Sequence, residues 1–531
     1  MTKAAALNTP ANASQSAVIV RRILSACRGA KEAPLPLCKR LIAGRARKSL
    51  NADLELLSPA WRDHAIACVY AALMPPARRK RLGAYFTPPH LVDHLVATLE
   101  QAGISPVKQR FRDPAAGGAA FIVPLARIKV AAWRRAGVSD KVIVERLPDQ
   151  LEGIDIDADL VALANALIQA MLVREFGFPA KSAAKVSLVR VGDSLREDCA
   201  ASTAHEIGNP PYLRLPRARQ RALQRQFADI ESGRLNLYTM FVRRALDRVA
   251  PGRTVAYVVP SSFLGGPEFA AFRKRVLQLA DVRTIDVVEK RRDLFLDATQ
   301  DACFLVLRKR GRKKRGAQPA TRCGVLRAAG AYEATGSTRL PRDGSPWKLA
   351  EARSLTPGST LADWGYRATI GYLVSNRQPE KLFARRAKGR YPLIWAKAIS
   401  PEGDFDFERS GLFREKLWAS APADAPYLVR QPCVALQRIS SRGQRRRLNA
   451  AAIPKSFLRK HKAVIGENHV IFLVPVSADA VSPELLAQAL NTPTASAQFD
   501  RISGSTSISA RLLETMALPK PPIRPRRALR R

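Results

Sequence analysis

Cysteine is scarce in this chain of 531 residues, and the seven present are scattered. Cys27, Cys38, Cys68, Cys199, Cys303, Cys323 and Cys433 include no pair at metal-ligand spacing, which argues against a zinc site and predicts no metal. Their odd number points to reduced thiols in a cytosolic setting. Acidic residues are also few: 45 Asp and Glu face 88 Lys and Arg, a formal charge of +43. Self-repulsion on that scale opposes a compact state unless a polyanion offsets it, so nucleic acid is the expected partner. No stretch approaches the ~20 apolar residues of a membrane span, and the start, MTKAAALNTPANASQSA, lacks the apolar run of a signal peptide. The expectation is a soluble cytoplasmic protein with no membrane partner.

What is present is ordinary for a globular chain: 47% apolar and 25% charged residues. Residues 1–80 read as a basic helical region whose first ~17 residues are disordered. Within it, Ser58 and Pro59 mark a helix start, with Trp61, Ala65, Cys68 and Ala72 on one face and Pro75 and Pro76 at the stop. Residues 81–320 alternate strand-like runs (LEGIDID, KVSLVRVGD, RTVAYVVPSSF, VRTIDVVEK, DACFLVLRKR) with helical ones (LVALANALIQAMLVREFG, LYTMFVRRALDRVAPG). That alternation predicts an α/β domain with a mostly parallel sheet covered on both faces and its ligand at the carboxyl ends of the strands. The run RKRGRKKRGAQPA, 308–320, reads as a loop or hinge, residues 321–520 as a second, irregular and Arg-rich domain, and 521–531 as a mobile basic tail.

The chemistry concentrates at Asn209-Pro210-Pro211-Tyr212. Two prolines hold a stiff turn whose carbonyls are free acceptors. Asn209 adds a side-chain acceptor and Tyr212 a flat face. Such a corner suits a planar group bearing an NH₂. Two acceptors aimed at its hydrogens favour a pyramidal nitrogen and stabilise the positive charge that grows as it attacks, without a strong base. Upstream lie FTPP with Thr87, DPAAGGAAF from Asp113, GIDID with Asp155, and GDSL with Asp193. Small residues in the second of these let backbone lie against a ligand, and acids at strand ends bind nucleoside hydroxyls and amines.

This ordered set, spanning about 83 to 310, resembles the gamma-class N6-adenine DNA methyltransferases of bacterial restriction–modification systems. The resemblance implies a Rossmann-like methyltransferase sheet using S-adenosylmethionine. It places Thr87, Asp113, Ala115, Gly117 and Gly118 at the cofactor's methionine end, Asp155 at its ribose and Asp193 at its adenine. Asn209 and Pro210 would grip the target amine, with Pro211 stiffening the corner. Tyr212 and Phe295 would stack on an adenine flipped out of double-stranded DNA. Tyr238 and Phe241 follow the family's pattern too, but their helical spacing reads as packing. The family's usual loop has glycine where Ala119 stands, and alanine is tolerated there if φ is negative. SPVKQRF and ASTAHEI are poor in apolar residues, and read as short strands or as damage in an inactive relative.

The remaining residues resemble the target-recognition domain of the same enzymes, of mixed α+β type. Arg442, Arg445, Arg446 and Arg447 are candidate phosphate clamps, and Arg438, Asn468 and His469 candidate base readers. No nuclease-like Pro-Asp followed by Glu-x-Lys occurs in the first eighty residues, which suggests a stand-alone modification enzyme, paired if at all with a separate endonuclease; a monomer associated with the nucleoid through DNA is the expectation. Two alternatives stay open. The same corner serves methyltransferases acting on RNA bases or protein glutamine amides, and a catalytically decayed DNA-binding defence subunit would keep the motifs without the activity.

Overall fold

The computed structural model describes residues 10–27, 33–83, 86–196, 202–215, 223, 225–231, 235–288, 302–311, 317–327, 330–349, 359–413, 415–440, 446–477, 479–502 and 507–521. They form two compact units, Met1–Phe263 with Pro267–Ala352, and Leu264–Gly266 with Arg353–Arg531. No described helix is long and apolar enough to cross a membrane.

The first unit opens with helices α1 (Pro10–Ala26), α2 (Pro34–Ile42), α3 (Lys48–Glu55), α4 (Pro59–Leu73) and α5 (Pro76–Leu82). The expected disorder up to residue 17 gives way to helix from Pro10, because Ile19, Val20 and Ile23 recur at helical spacing and bury against α4. Helix α4 starts and stops where its prolines predict, although the Ser58 side chain makes no cap hydrogen bond.

A nine-stranded sheet follows, built from β1 (Phe111–Asp113), β2 (Leu151–Asp155), β3 (Val189–Val191), β4 (His205–Gly208), β5 (Thr254–Pro260), β6 (Ala280–Val288), β7 (Ala302–Lys309), β8 (Thr321–Leu326) and β9 (Tyr332–Thr338). Their spatial order is β3-β2-β1-β4-β5-β7-β6-β8-β9. Strands β3 through β5 are all parallel, and β7 runs antiparallel between β5 and β6. Helices α6 (Pro89–Gln101), α7 (Ile122–Arg135), α8 (Asp140–Gln150), α9 (Ala158–Phe176), α10 (Ala180–Ala183), α11 (Leu237–Arg248) and α12 (Ala270–Leu279) connect and cover it. The order reverses between β1 and β4, which opens a crevice beyond the carboxyl ends of the first four strands.

The two strands that looked poor in sequence are short, three and four residues, yet wholly buried. Strand β4 compensates with bonds. His205 Nδ1 accepts the Thr254 N–H (3.1 Å), Glu206 is ion-paired with Arg248 (3.0 Å), and the Tyr257 hydroxyl donates to the same carboxylate. Arg248 also donates to the Ser194 carbonyl (2.6 Å), so the loop after β3 is tied to β4. Polar residues thus stand in a central strand because each meets its partner.

The boundary expected near 320 falls instead after Ala352. Strand β8 pairs parallel with β6, and β9 pairs with β8, so residues 321–338 extend the first unit's sheet. The second unit is mixed α+β, with two four-stranded sheets. One has the order β10-β17-β14-β15 and the other β11-β13-β12-β16. The strands are β10 (Tyr366–Ile370), β11 (Leu382–Phe383), β12 (Arg390–Ile394), β13 (Trp418–Ser420), β14 (Val434–Gln437), β15 (Ala450–Ala452), β16 (Ile465–Gly466) and β17 (Val470–Pro475).

Arg248→Met leaves the fully buried Glu206 without its cation. It is expected to destabilise the protein by about 3–5 kcal/mol, read as a lowered thermal midpoint.

Candidate active site

The parallel strands deliver their ends to one place. Strand β1 ends at Asp113 and β2 at Asp155, Asp193 lies two residues beyond β3, and Asn209 directly follows β4. All four line one cavity of about 590 Å³, with Thr87, Ala115, Gly117 and Pro211.

Asp113 is fully buried, and burial pushes its carboxyl up to about 8; the neighbouring Asp155 and Glu206 add to this, while the Ala115 N–H opposes it. That N–H reaches Oδ1 at 3.1 Å. A Cβ at position 208 would lie 2.6 Å from the same oxygen, so the close approach of β4 to Asp113 requires glycine. Asp155 takes the Gly117 N–H on Oδ2 and the Asp157 N–H on Oδ1, each at 2.9 Å. Burial raises its pKa, and those N–H groups work against the rise. Asp157 caps α9 and is held by Arg78 of α5 (2.7 Å), so the N-terminal helices brace the cavity rim. Asp193 accepts the Leu195 N–H (3.1 Å) and sits 3.4 Å from Arg196.

Asn209 is the polar centre of the wall. Its Nδ2 donates to Thr87 Oγ1 (3.0 Å), while its Oδ1 is buried without a hydrogen-bond partner. An unpaired buried acceptor costs about 1–3 kcal/mol, a cost that a donor arriving on a ligand relieves. The turn is clamped from the other side: Gly83 has φ +60°, and a Cβ there would come within 2.9 Å of Pro211 Cβ. Tyr212 donates its hydroxyl to the Val258 carbonyl (3.0 Å) and meets Tyr238 edge-on at 6.3 Å and 82°. Its ring is therefore fixed, although Tyr212 and the buried Pro210 are not among the residues lining the cavity.

The loop after Asp113 carries strain. Gly117 has φ +52° and Ala119 φ +58°. The condition under which alanine is tolerated at 119, a negative φ, is not met: the backbone there is left-handed, a region costing an L-residue roughly 1–2 kcal/mol and natural to the family's usual glycine. Gly118 is packed under Phe86, whose ring would stand 3.0 Å from a Cβ at 118. Gly118 lines a second, smaller cavity of about 280 Å³ that shares Phe86, Thr87 and Ala120 with the first.

Phe241, read as packing, lines the large cavity, whereas Tyr238 is core as expected. Gly83 and Phe241 are positions at this site whose place there the sequence does not mark. Helical spacing cannot tell a core face from a cavity face, and a glycine before FTPP has no signal of its own. Phe295, Arg442 and Arg445 lie outside the described residues. In the second unit Arg438, Asn468 and His469 come together: the Arg438 N–H donates to the His469 carbonyl (2.8 Å) and its Nη1 to the Asn468 carbonyl (2.9 Å). Arg446 is half-buried and donates to the Glu402 carbonyl (2.7 Å). Arg447 is not the surface clamp expected of it. It is buried, 3.0 Å from Asp500 and over the Phe499 ring, because the Ser440 carbonyl and Asp500 hold its guanidinium inside.

Two outcomes follow from this geometry. Ala119→Gly releases the left-handed strain and is expected to raise unfolding free energy by about 1 kcal/mol, measured by chemical denaturation. Asp113 binds a proton in the folded state up to pH about 8 and loses it near 3.8 when unfolded, so stability of the ligand-free protein falls as pH rises toward 8. The depressed His64, His90 and His205 have the opposite sign but act only below their ordinary 6.5. Thermal midpoints should therefore decline between pH 6.5 and 8, and Asp113→Asn should flatten that decline.

Residues 207–295 match the Eco57I restriction-modification methylase family. Type II methyltransferase M.PaeR7I of Pseudomonas aeruginosa is 26% identical over 194 residues, 35% of this chain and 33% of that protein. M.BsuBI of Bacillus subtilis is 34% identical over 94 residues, 18% of each chain. The alignments thus span a third or less of these curated relatives. Among solved structures, the Type IIL restriction-modification enzyme MmeI in complex with DNA aligns over 88% of this chain and 73% of its own, with a TM-score of 0.54 and 15% identity. Over residues 207–295 this chain is thus similar to a restriction–modification methylase family, and its fold is similar to that of MmeI.

Proposed function

We propose that the chain is a site-specific DNA methyltransferase that transfers a methyl group to N6 of an adenine flipped out of duplex DNA, as the modification enzyme of a restriction–modification system. The observation that carries this reading is Asn209: an amide with its nitrogen tied to Thr87 and its oxygen buried and unpaired, on the wall of the cavity where three acidic strand ends meet.

S-adenosylmethionine fits this chain's own groups. The cavity is of a size for a nucleoside cofactor. Each Asp155 oxygen already takes one backbone N–H and keeps a further lone pair for a ribose hydroxyl. Asp193, about a third exposed, would accept from the cofactor's adenine amine. Asp113, Thr87 and the backbone from Ala115 to Gly118 would hold the methionine end. When bound, the cofactor supplies a methyl group activated by its positively charged sulfur.

The protein's part is orientation and electrostatics. The bond to Thr87 holds the Asn209 amide in place, and with Nδ2 so engaged Oδ1 is left for one hydrogen of the target amine. The Pro210 carbonyl takes the other. Both acceptors meet charge that grows only as N6 attacks, so they favour the transition state over the bound base. Tyr212, held by Val258, offers the flipped base a rigid ring, and Phe295 would close its other face. Extrusion of the base costs a few kcal/mol, which contacts to DNA must supply. The +43 formal charge supports a polyanionic substrate, and the second unit, with Arg438, Asn468 and His469, is the proposed target-recognition domain. In this reading the enzyme acts as a monomer beside a separate endonuclease.

The test is incubation with methyl-labelled S-adenosylmethionine and duplex DNA, RNA or protein. Label is expected in DNA; label in RNA or protein alone would reject the reading. Asn209→Ala is expected to cut transfer by at least about 10²-fold while duplex binding, read by fluorescence anisotropy, changes little. An unimpaired Asn209→Ala enzyme would remove Asn209 from the chemistry.

A further inference from the structure

Three loops of the second unit are locked together by backbone bonds. Leu373 N–H donates to the Gly466 carbonyl (3.0 Å), Asn468 N–H to the Leu373 carbonyl (2.8 Å) and Arg438 N–H to the His469 carbonyl (2.8 Å). The strands approach so closely that a Cβ at Gly371 would collide with the Glu467 carbonyl. Glu467, fully buried, accepts both the backbone N–H and Nδ1 of His469 (2.8 and 2.9 Å). The turn is rigid, and its residues have little freedom to rearrange around a partner.

On this frame Tyr372 lies flat on Tyr427, with ring centroids 3.8 Å apart and planes within 2°. A near-sandwich is a poor arrangement for two aromatic rings, which favour offset or edge-on contact. Tyr372 is nonetheless 48% exposed, so the pair does little to hide its outer ring. What the stack does is fix that ring, with Tyr427 filling one face and the other left open. Two buried polar atoms of the same frame lack hydrogen-bond partners, Asn468 Oδ1 between β16 and β17 and Arg438 Nε just after β14. Asn468 is joined to the residue after Tyr372, and Arg438 to Asn468, by the bonds already described.

A flat, rigid π face on the same locked frame as an amide acceptor and a guanidinium donor matches one chemistry well. A nucleobase has a π face and an edge that carries both donors and acceptors. A phosphate would satisfy Arg438 but neither the ring nor the amide oxygen. We propose that Tyr372, backed by Tyr427, is a base-stacking platform of the recognition unit, taking the open face of a nucleobase unstacked at a kink in the DNA target, with Asn468 and Arg438 on the same frame as the candidates for its edge. This rests on the DNA methyltransferase reading and adds to it a specificity-determining residue that carries no charge.

The experiment uses the full chain and duplex DNA containing the site found by methylation mapping in an expressing host, with a scrambled duplex for comparison. Tyr372→Ala is expected to weaken binding of the cognate duplex by about tenfold to a hundredfold and to narrow its margin over the scrambled one. Tyr372→Leu keeps an apolar side chain over Tyr427 and should show the same loss, whereas Tyr372→Phe should bind like the parent. The salt dependence of binding should not change, because no phosphate contact is removed. S-adenosylmethionine binding, followed by calorimetry, should remain at the parental value and reports that the first unit is intact. Parental cognate affinity in Tyr372→Ala and Tyr372→Leu would overturn the platform, as would a loss that appears as a shallower salt dependence. A parent protein that binds S-adenosylmethionine but no DNA would overturn the methyltransferase reading, and the platform with it.

Discussion

The hydrogen bond from Asn209 Nδ2 to Thr87 Oγ1 is the contact on which the site depends. It joins the turn after β4 to a segment more than a hundred residues earlier, and with Nδ2 engaged there the amide oxygen is left to a ligand. The bond can form because Gly83 lets the chain pass against Pro211, and because α6 holds the residues after Thr87 in place. A threonine hydroxyl can both donate and accept, so the bond limits the amide's rotation while a donor arriving on the ligand selects the orientation with the oxygen outward.

Around that bond the protein accepts several local costs. Asp113 is buried next to other carboxylates, Ala119 is left-handed, and the Asn209 oxygen has no partner. All three lie at the carboxyl ends of the central strands, where a bound ligand can offset them. The rest of the first unit is built to tolerate them. The network of Arg248, Glu206 and Tyr257 locks β4 to β5 and to the loop that carries Asp193, and Arg78 fixes the cap of α9. Strain at a functional site is kept only when its surroundings over-determine it.

Much of this architecture was legible in the sequence. The long periodic segments mark α9, α11, β5 and β7 directly, and the order of FTPP, DPAAGGAAF, GIDID, GDSL and NPPY marks the strand ends. What escaped had a tertiary cause. Strand β4 looked too polar because its partners, Thr254, Tyr257 and Arg248, come from elsewhere in the chain. Residues 321–338 looked like a new domain because their pairing with β6 leaves no local mark. Arg447 looked like a surface charge until Asp500 and Phe499 drew it inward. A backbone angle such as that of Ala119 has no counterpart in composition or period.

The central claim is that the proline corner presents an amine, and specifically the N6 amine of adenine, to an activated methyl group. Nucleoside analysis by mass spectrometry, on duplex DNA digested after incubation with the protein and isotope-labelled S-adenosylmethionine, tests it most directly. The account predicts the label in N6-methyladenine. Label confined to a methylated cytosine, or its absence from every nucleoside while the protein binds both DNA and cofactor, would contradict it.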